Sequence, residues 1–166
     1  MLNHLRHELQ HIISGKSKVR YGSTIQAASN HLTRSLSTSC ISQKYKHFKR
    51  EEEKRLRSYI EYNNLWLKNI DFNSYVSEGA EQRVYLFNES YVLKLNDSIY
   101  YESWQDYFTN LLLHNFFFYD TAYELIGFYE NNQRIYAVVR QSIIRITNKT
   151  DLFQVRHFME SNKFEA

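Results

Sequence analysis

Hydrophobic positions in the first third of the chain recur every three or four residues, which is the spacing of amphipathic helices. This pattern predicts one helix over residues 2–13, a second from Ser23 to Leu36 and a third from Tyr45 to Asn63. The stretch from Ser35 to Ser42 is rich in serine and threonine, so it predicts a linker before the third helix.

After the third helix the pattern changes to short runs of β-branched and aromatic residues, which are typical of strands. Two of these runs flank the polar turn Asn88-Glu89-Ser90, so they predict a hairpin. The predicted elements are, in order, strands Phe72–Glu78, Val84–Phe87 and Tyr91–Leu95, a helix Glu102–Phe118, strands Tyr123–Glu130 and Arg134–Ile144, and a helix Asp151–Ser161 capped by Thr150.

This order of elements predicts an α+β fold with a five-stranded antiparallel sheet and one packed helix, preceded by helical segments. The chain divides into two parts at the predicted linker. Residues 1–44 form a basic helical arm with its linker, and residues 45–166 hold the leading helix, the sheet and the C-terminal helix.

Composition and charge support a folded body with a basic extension. Hydrophobic residues make up 43% of the chain and aromatic residues 16%, enough for a packed core. The net charge of +3 divides into +8 over residues 1–50 and −5 over residues 51–166. A basic arm of this kind can bind nucleic acid or an acidic protein, although its charges are scattered rather than clustered, which favours an ordinary solvated face.

Several classes of protein are excluded by what the sequence lacks. No apolar run approaches the length of a membrane span, and the N-terminus has no apolar signal-peptide core. Cys40, the single cysteine, cannot form an internal disulfide, so we expect a cytoplasmic protein. His4, His7 and His11 share a helix face, but no carboxylate or cysteine completes a metal-binding set, so we predict no metal site.

Lys94 is the first candidate for a binding residue. Strand alternation places it on one face with Val92, while Leu93 and Leu95 lie on the other, so the ammonium is predicted to point away from the more apolar side. A lysine in that position needs an anionic partner, such as a phosphate or a carboxylate. From these residues alone, an ordinary surface lysine on a hairpin is the simpler explanation.

A series of motifs after Lys49 occurs in the same order as in a known domain family. They are Arg50–Leu56, Glu78–Tyr85, Lys94–Asp97, Trp104, Tyr107-Phe108, Leu111–Asn115, Asp120–Tyr123 and Tyr136–Val139. These residues spread over more than half of the chain. In them the chain resembles the kinase domain of polyvalent proteins from bacterial mobile genetic elements and phages. The resemblance implies a protein-kinase-like small lobe that binds ATP with Mg²⁺.

The resemblance also implies which residues bind the nucleotide. Gly79 and Ala80 correspond to the phosphate-binding loop, although a single glycine is a weak signal by itself. Lys94 corresponds to the small-lobe lysine, which pairs with a carboxylate from the following helix. We predict Asp106 as this partner, with Glu102 one turn earlier as the alternative. Two exposed carboxylates on a solvated face would explain the same pattern.

The last residues of the fifth predicted strand are the expected hinge. Gln141, with the two residues after it, falls where a kinase hinge presents backbone groups to the adenine ring. Beyond Gln141 the sequence contains no His-x-Asp-x-x-x-x-Asn pattern and no aspartate in a strand-turn context. We therefore predict no catalytic residue, and we expect a truncated, inactive domain that resembles ATP:protein phosphotransferases but lacks their catalytic loop.

A second hypothesis comes from a different class of protein. The chain can be a non-enzymatic interaction or nucleic-acid-binding module of a mobile genetic element that uses its basic arm. Apolar surface at the border of a truncated lobe would also favour self-association. Nucleotide binding distinguishes the two hypotheses.

Overall fold

A computed structural model describes residues 2–34, 45–145 and 149–162. Its elements are the helices α1 (Leu2–Ile13), α2 (Gly22–Arg34), α3 (Tyr45–Tyr62), α4 (Trp104–Phe117) and α5 (Leu152–Ser161), and the strands β1 (Tyr75–Glu78), β2 (Arg83–Leu86), β3 (Tyr91–Asn96), β4 (Glu124–Asn131) and β5 (Arg134–Ser142). The predicted end of α2 at Leu36 and the predicted linker lie outside the described residues.

The five strands form one antiparallel sheet in the order β1-β2-β3-β5-β4. The predicted α+β fold class is thus confirmed. A 3₁₀ turn over Phe72–Ser74, capped by the Asp71 carboxylate, replaces the first half of the predicted first strand. At the other end of the chain, Asp151 rather than the predicted Thr150 caps α5, since its Oδ1 accepts from Phe153 N at 2.9 Å.

The main core lies between one face of the sheet and α4. Residues that pair across antiparallel strands point to the same face. Lys94 pairs with Val84 on β2 and Val139 on β5, so these three share the face on which α4 packs. The core residues on α4 and the sheet are Trp104, Tyr107, Phe108, Leu111, Leu112, Leu125, Phe128, Ile135, Ala137 and Val139.

A second, smaller apolar cluster covers the opposite face of the sheet. It holds Leu93, Leu95, Tyr85 and Val138, packed against side chains such as Leu67 from the segment after α3. The prediction that Lys94 points away from the more apolar side is therefore wrong. Lys94 lies on the face of the main core, because α4 covers that face with apolar side chains that strand alternation alone does not reveal.

The first two helices pack into the same main core. Ile12 of α1 and Ile25 of α2 are at most 2% exposed, and both belong to the cluster that α4 buries. The Gln26 side chain ties the two helices together by donating to Ile12 O and Ser17 O, both at 2.8 Å. The domain boundary near residue 44 remains a prediction, but α1 and α2 share a core with α4.

The segment after α3 runs beside the edge strand β4. Leu67 N donates to Phe128 O at 2.7 Å, and Phe128 N donates to Leu65 O at 2.9 Å. Gly127 allows this approach, because a Cβ there would lie 2.6 Å from the carbonyl oxygen of Leu65. The segment therefore extends the sheet beyond β4 by a short parallel bridge at Trp66. In the described ranges no helix is long and apolar enough to cross a membrane.

Candidate functional site

The start of α4 is held by two side chains that accept hydrogen bonds from its backbone, one a hydroxyl and the other a carboxylate. Ser103 Oγ accepts from Asp106 N at 2.9 Å, which makes Ser103 the N-cap residue. Glu52 of α3 accepts from Trp104 N at 2.8 Å and from Gln105 N at 3.0 Å. Its side chain is almost fully buried, and burial raises the pKa of its carboxyl despite these two hydrogen bonds. The N-terminus of α4 is thus fixed to α3.

The connection between β3 and α4 is also fastened to α3. Lys49 Nζ donates to Ser98 O at 2.6 Å and to Tyr101 O at 2.9 Å. These bonds hold the backbone on both sides of the exposed Tyr100. Because α3 holds this connection and the first turn of α4, it determines where α4 lies over the sheet.

Lys94 lies half-buried beside an aromatic stack at the end of α4. Its Nζ is 3.4 Å from the Tyr123 hydroxyl and 5.1 Å from the centroid of that ring. The His114 ring packs on Tyr123 with 4.4 Å between the centroids, and His114 Nε2 donates to Thr121 O at 3.1 Å. Burial lowers the pKa of His114, and the charge of Lys94 acts in the same direction. A neutral His114 is therefore favoured next to the lysine.

The predicted ion pair between Lys94 and Asp106 is not formed, and Glu102 does not replace it. Within the described part of the chain, no ion pair involves Lys94. Asp106 instead accepts from Asn110 Nδ2 at 3.3 Å, and Glu102 is exposed before the helix begins. Lys94 lies near His114. This histidine is eight residues after Asp106 on α4, about 12 Å farther along the helix axis.

The glycine loop, residues 79–82, is the turn that joins β1 to β2. Gly79 N donates to Gln82 O at 3.0 Å, and Gly79 and Ala80 are both exposed. A Cβ built on Gly79 would meet no atom within 4 Å, so the fold itself does not require glycine there. Glu81 is bound from outside the hairpin, since its Oε2 accepts from the Tyr101 hydroxyl at 2.9 Å.

Three tyrosines, Tyr101, Tyr107 and Tyr123, form a cluster in the sense that all belong to the main core or pack on it, with Tyr101 bonded to Glu81 of the glycine loop and Tyr123 next to Lys94. The Tyr101 and Tyr107 rings pack with their centroids 5.2 Å apart. Burial raises the pKa of Tyr101 and Tyr107, and the charge of Glu81 contributes to both shifts. Tyr107 and Tyr123 lie within the motifs that carry the resemblance, but the sequence assigned a role to none of the three, and Tyr101 lies in no motif.

Gln141 lies inside β5, where its backbone pairs with Val92. Its side chain is 3% exposed, and Nε2 donates to Thr121 O at 2.6 Å, so it fastens β5 to the turn after α4. Two residues later, Ile143 N donates to Ser90 O at 2.9 Å. The contact of this region with an adenine ring remains a prediction, and the structure gives the Gln141 side chain a packing role.

An open apolar surface lies next to Lys94 on the same face of the sheet. Val84 and Val92 are half-buried and belong to neither apolar cluster, whereas Val139 on β5 is covered by the main core. The helix α4 therefore covers the β4–β5 side of this face and leaves Val84 and Val92 on the β2–β3 side partly exposed. We name the surface formed by Val84, Val92 and Lys94 the lysine face.

The residues of the lysine face fit a nucleotide. An ammonium group has three N–H donors, and Tyr123 takes at most one of them. In residues 2–34, 45–145 and 149–162, no group of three or more His, Cys, Asp or Glu side chains can hold a metal ion by itself. Mg²⁺ bound with a nucleotide takes ligands from phosphates and water as well as from carboxylates. A nucleotide site at Lys94 is therefore compatible with the lack of such a metal-binding group in the described residues.

A five-stranded antiparallel sheet, one helix between the third and fourth strands and a lysine on the third strand together define a protein-kinase-like small lobe. The chain belongs to the family of serine/threonine/tyrosine kinases found in polyvalent proteins, whose family model matches residues 49–166. The suspected family is thus confirmed. No curated protein and no solved structure was found to match the chain.

Proposed function

We propose that this chain is the nucleotide-binding part of a polyvalent-protein kinase and that it binds ATP with Mg²⁺ on the lysine face. The observation that carries the proposal is the state of Lys94. Lys94 is half-buried, its ammonium has no ion pair within the described residues, and it lies beside the partly exposed Val84 and Val92. A phosphate group would provide the anionic partner that this ammonium lacks.

The proposal assigns a role to each part of the site. Lys94 donates hydrogen bonds to phosphate oxygens, and the backbone amides at Gly79 and Ala80 approach the same phosphates. Val84 and Val92 provide an apolar surface for the adenine ring. When bound, ATP supplies the phosphoryl group for transfer and Mg²⁺ neutralises part of its charge.

Phosphotransfer itself needs groups beyond the lysine face. Residues 1–166 contain no His-x-Asp-x-x-x-x-Asn pattern, which provides the aspartate and asparagine of a kinase catalytic loop. We therefore propose that these residues alone bind the nucleotide without transferring phosphate, in the cytoplasm of the host of a mobile genetic element. If ATP does not bind, the alternative of a non-enzymatic interaction module is favoured instead.

Replacing Lys94 with methionine should weaken ATP binding about 10-fold to 100-fold, because a hydrogen-bonded charge to phosphate is lost while the side-chain length is kept. Calorimetric titration with ATP and Mg²⁺ measures the effect. The matched control is Lys68→Met, since Lys68 is an exposed lysine outside the site. Equal affinities of the unmodified chain and Lys94→Met, or no ATP binding by the unmodified chain, would contradict the proposal.

Replacing Gly79 with alanine should leave the free energy of unfolding unchanged but weaken ATP binding severalfold. The fold has open space for the added methyl group. The same methyl group would obstruct a phosphate that approaches the backbone amides of the loop. The two quantities are compared by urea denaturation and by the same titration. An alanine variant that binds ATP as tightly as the unmodified chain would remove the glycine loop from the site.

A further inference from the structure

The glycine loop has one side-chain anchor in the described structure. Its residues are exposed or half-buried and make no contribution to either apolar cluster. The bond from the Tyr101 hydroxyl to Glu81 Oε2, at 2.9 Å, links the loop to the connection that precedes α4. A loop with so few packed contacts is expected to move on the nanosecond scale unless such a bond restrains it.

The anchor is itself rigidly placed. The Tyr101 ring packs against the buried ring of Tyr107 on α4, and Lys49 on α3 holds the carbonyl oxygen of Tyr101 at 2.9 Å. Tyr101 is therefore fixed by two helices before its hydroxyl reaches the loop. A series of direct contacts runs from α3 through Tyr101 and Glu81 to the glycine loop.

The same cluster reaches the lysine face. Tyr101 and Tyr123 both pack on the main core that contains Tyr107, and the Tyr123 hydroxyl lies 3.4 Å from Lys94 Nζ. The bond between Tyr101 and Glu81 thus lies on the side of the sheet that carries Lys94, where it can determine the position of the loop relative to the lysine.

We propose that Tyr101 is a positioning residue for nucleotide binding, which holds the glycine loop over the lysine face through Glu81. The inference rests on the proposed function, because it assigns Tyr101 to the same site. A restrained loop binds a ligand more tightly than a mobile one, since less conformational entropy is lost on binding. The ligand class is a nucleoside polyphosphate, whose phosphates lie under the loop and next to Lys94.

The test compares Tyr101→Phe with Tyr100→Phe in the full chain. The first change removes the hydroxyl that binds Glu81 and keeps the packed ring, whereas Tyr100 is 64% exposed and serves as the control. In the absence of ligand, ¹⁵N relaxation should show lower order parameters for residues 79–82 in Tyr101→Phe only. ATP affinity should fall about threefold to tenfold, as expected for the loss of one hydrogen bond that orders the loop.

A second variant separates the anchor from a general loss of structure. In a Glu81→Ala background the bond is already absent, so adding Tyr101→Phe should change neither the loop order parameters nor the ATP affinity further. Unchanged order parameters in Tyr101→Phe, or a mobile loop with unchanged ATP affinity, would overturn the inference. Failure of the unmodified chain to bind ATP would instead overturn the proposed function, while the order parameters would still decide whether Tyr101 holds the loop.

Discussion

Replacing Glu52 with alanine should destabilise the protein by about 2–4 kcal/mol, because two backbone N–H groups at the start of α4 lose their buried acceptor. Trp104, which donates one of them, is itself fully buried, so water cannot easily replace the carboxylate. Urea denaturation of both proteins measures the difference in free energy of unfolding. The control is Glu61→Ala, an exposed acid on the same helix, which should change stability little.

The same carboxyl should make stability depend on pH in a defined direction. Burial raises the pKa of Glu52 in the folded protein above its ordinary value. Its contribution to stability is therefore complete below the ordinary pKa and decreases as pH rises through the raised one. The stability difference between the unmodified protein and Glu52→Ala should be larger at about pH 4.5, near that ordinary pKa, than at neutral pH. A difference that grows toward neutral pH would contradict this account of the cap.

Replacing Gly127 with alanine should also cost about 2–4 kcal/mol, through overpacking and the loss of hydrogen bonds. The new Cβ would lie 2.6 Å from the Leu65 carbonyl oxygen and 2.9 Å from Leu67 Cγ. The segment after α3 would have to move away from β4 and break both of its backbone bonds to Phe128. Thermal and urea denaturation report the loss.

Gly79→Ala is the matched control for this substitution, because the same methyl group enters open space there. Its free energy of unfolding should equal that of the unmodified protein. If Gly127→Ala proved as stable as Gly79→Ala, the close approach of the two segments at β4 would be wrong.

Local sequence patterns were sufficient to predict most of the elements. The helix periodicity of residues 2–13 and the alternation in Tyr91–Leu95 each depend on neighbours within a few positions, and both elements are present. The choice of α+β class followed from the order of these elements. Element ends were less predictable, since a 3₁₀ turn capped by Asp71 occupies the start of the first predicted strand.

The details of the site depend on contacts between residues far apart in sequence. Periodicity shows that Asp106 lies early on α4, but not which turn of the helix lies opposite Lys94. Glu52 binds the backbone N–H of Trp104, 52 residues later in the chain, and thereby determines which turn of α4 lies opposite Lys94. As a result Lys94 contacts Tyr123, which lies in the motif Asp120–Tyr123 but to which the resemblance assigned no role. Sequence reasoning could therefore identify the lysine but could not identify its neighbours.

The central claim is that a nucleotide binds on the lysine face, and chemical-shift mapping tests it most directly. ATP with Mg²⁺ would be titrated into isotope-labelled protein while backbone amide and valine methyl signals are recorded. The account predicts the largest changes at residues 79–82, Val84, Val92 and Lys94, which share the open side of the sheet. Changes confined to Leu93 and Leu95 on the opposite face, or no changes at saturating ATP, would contradict it.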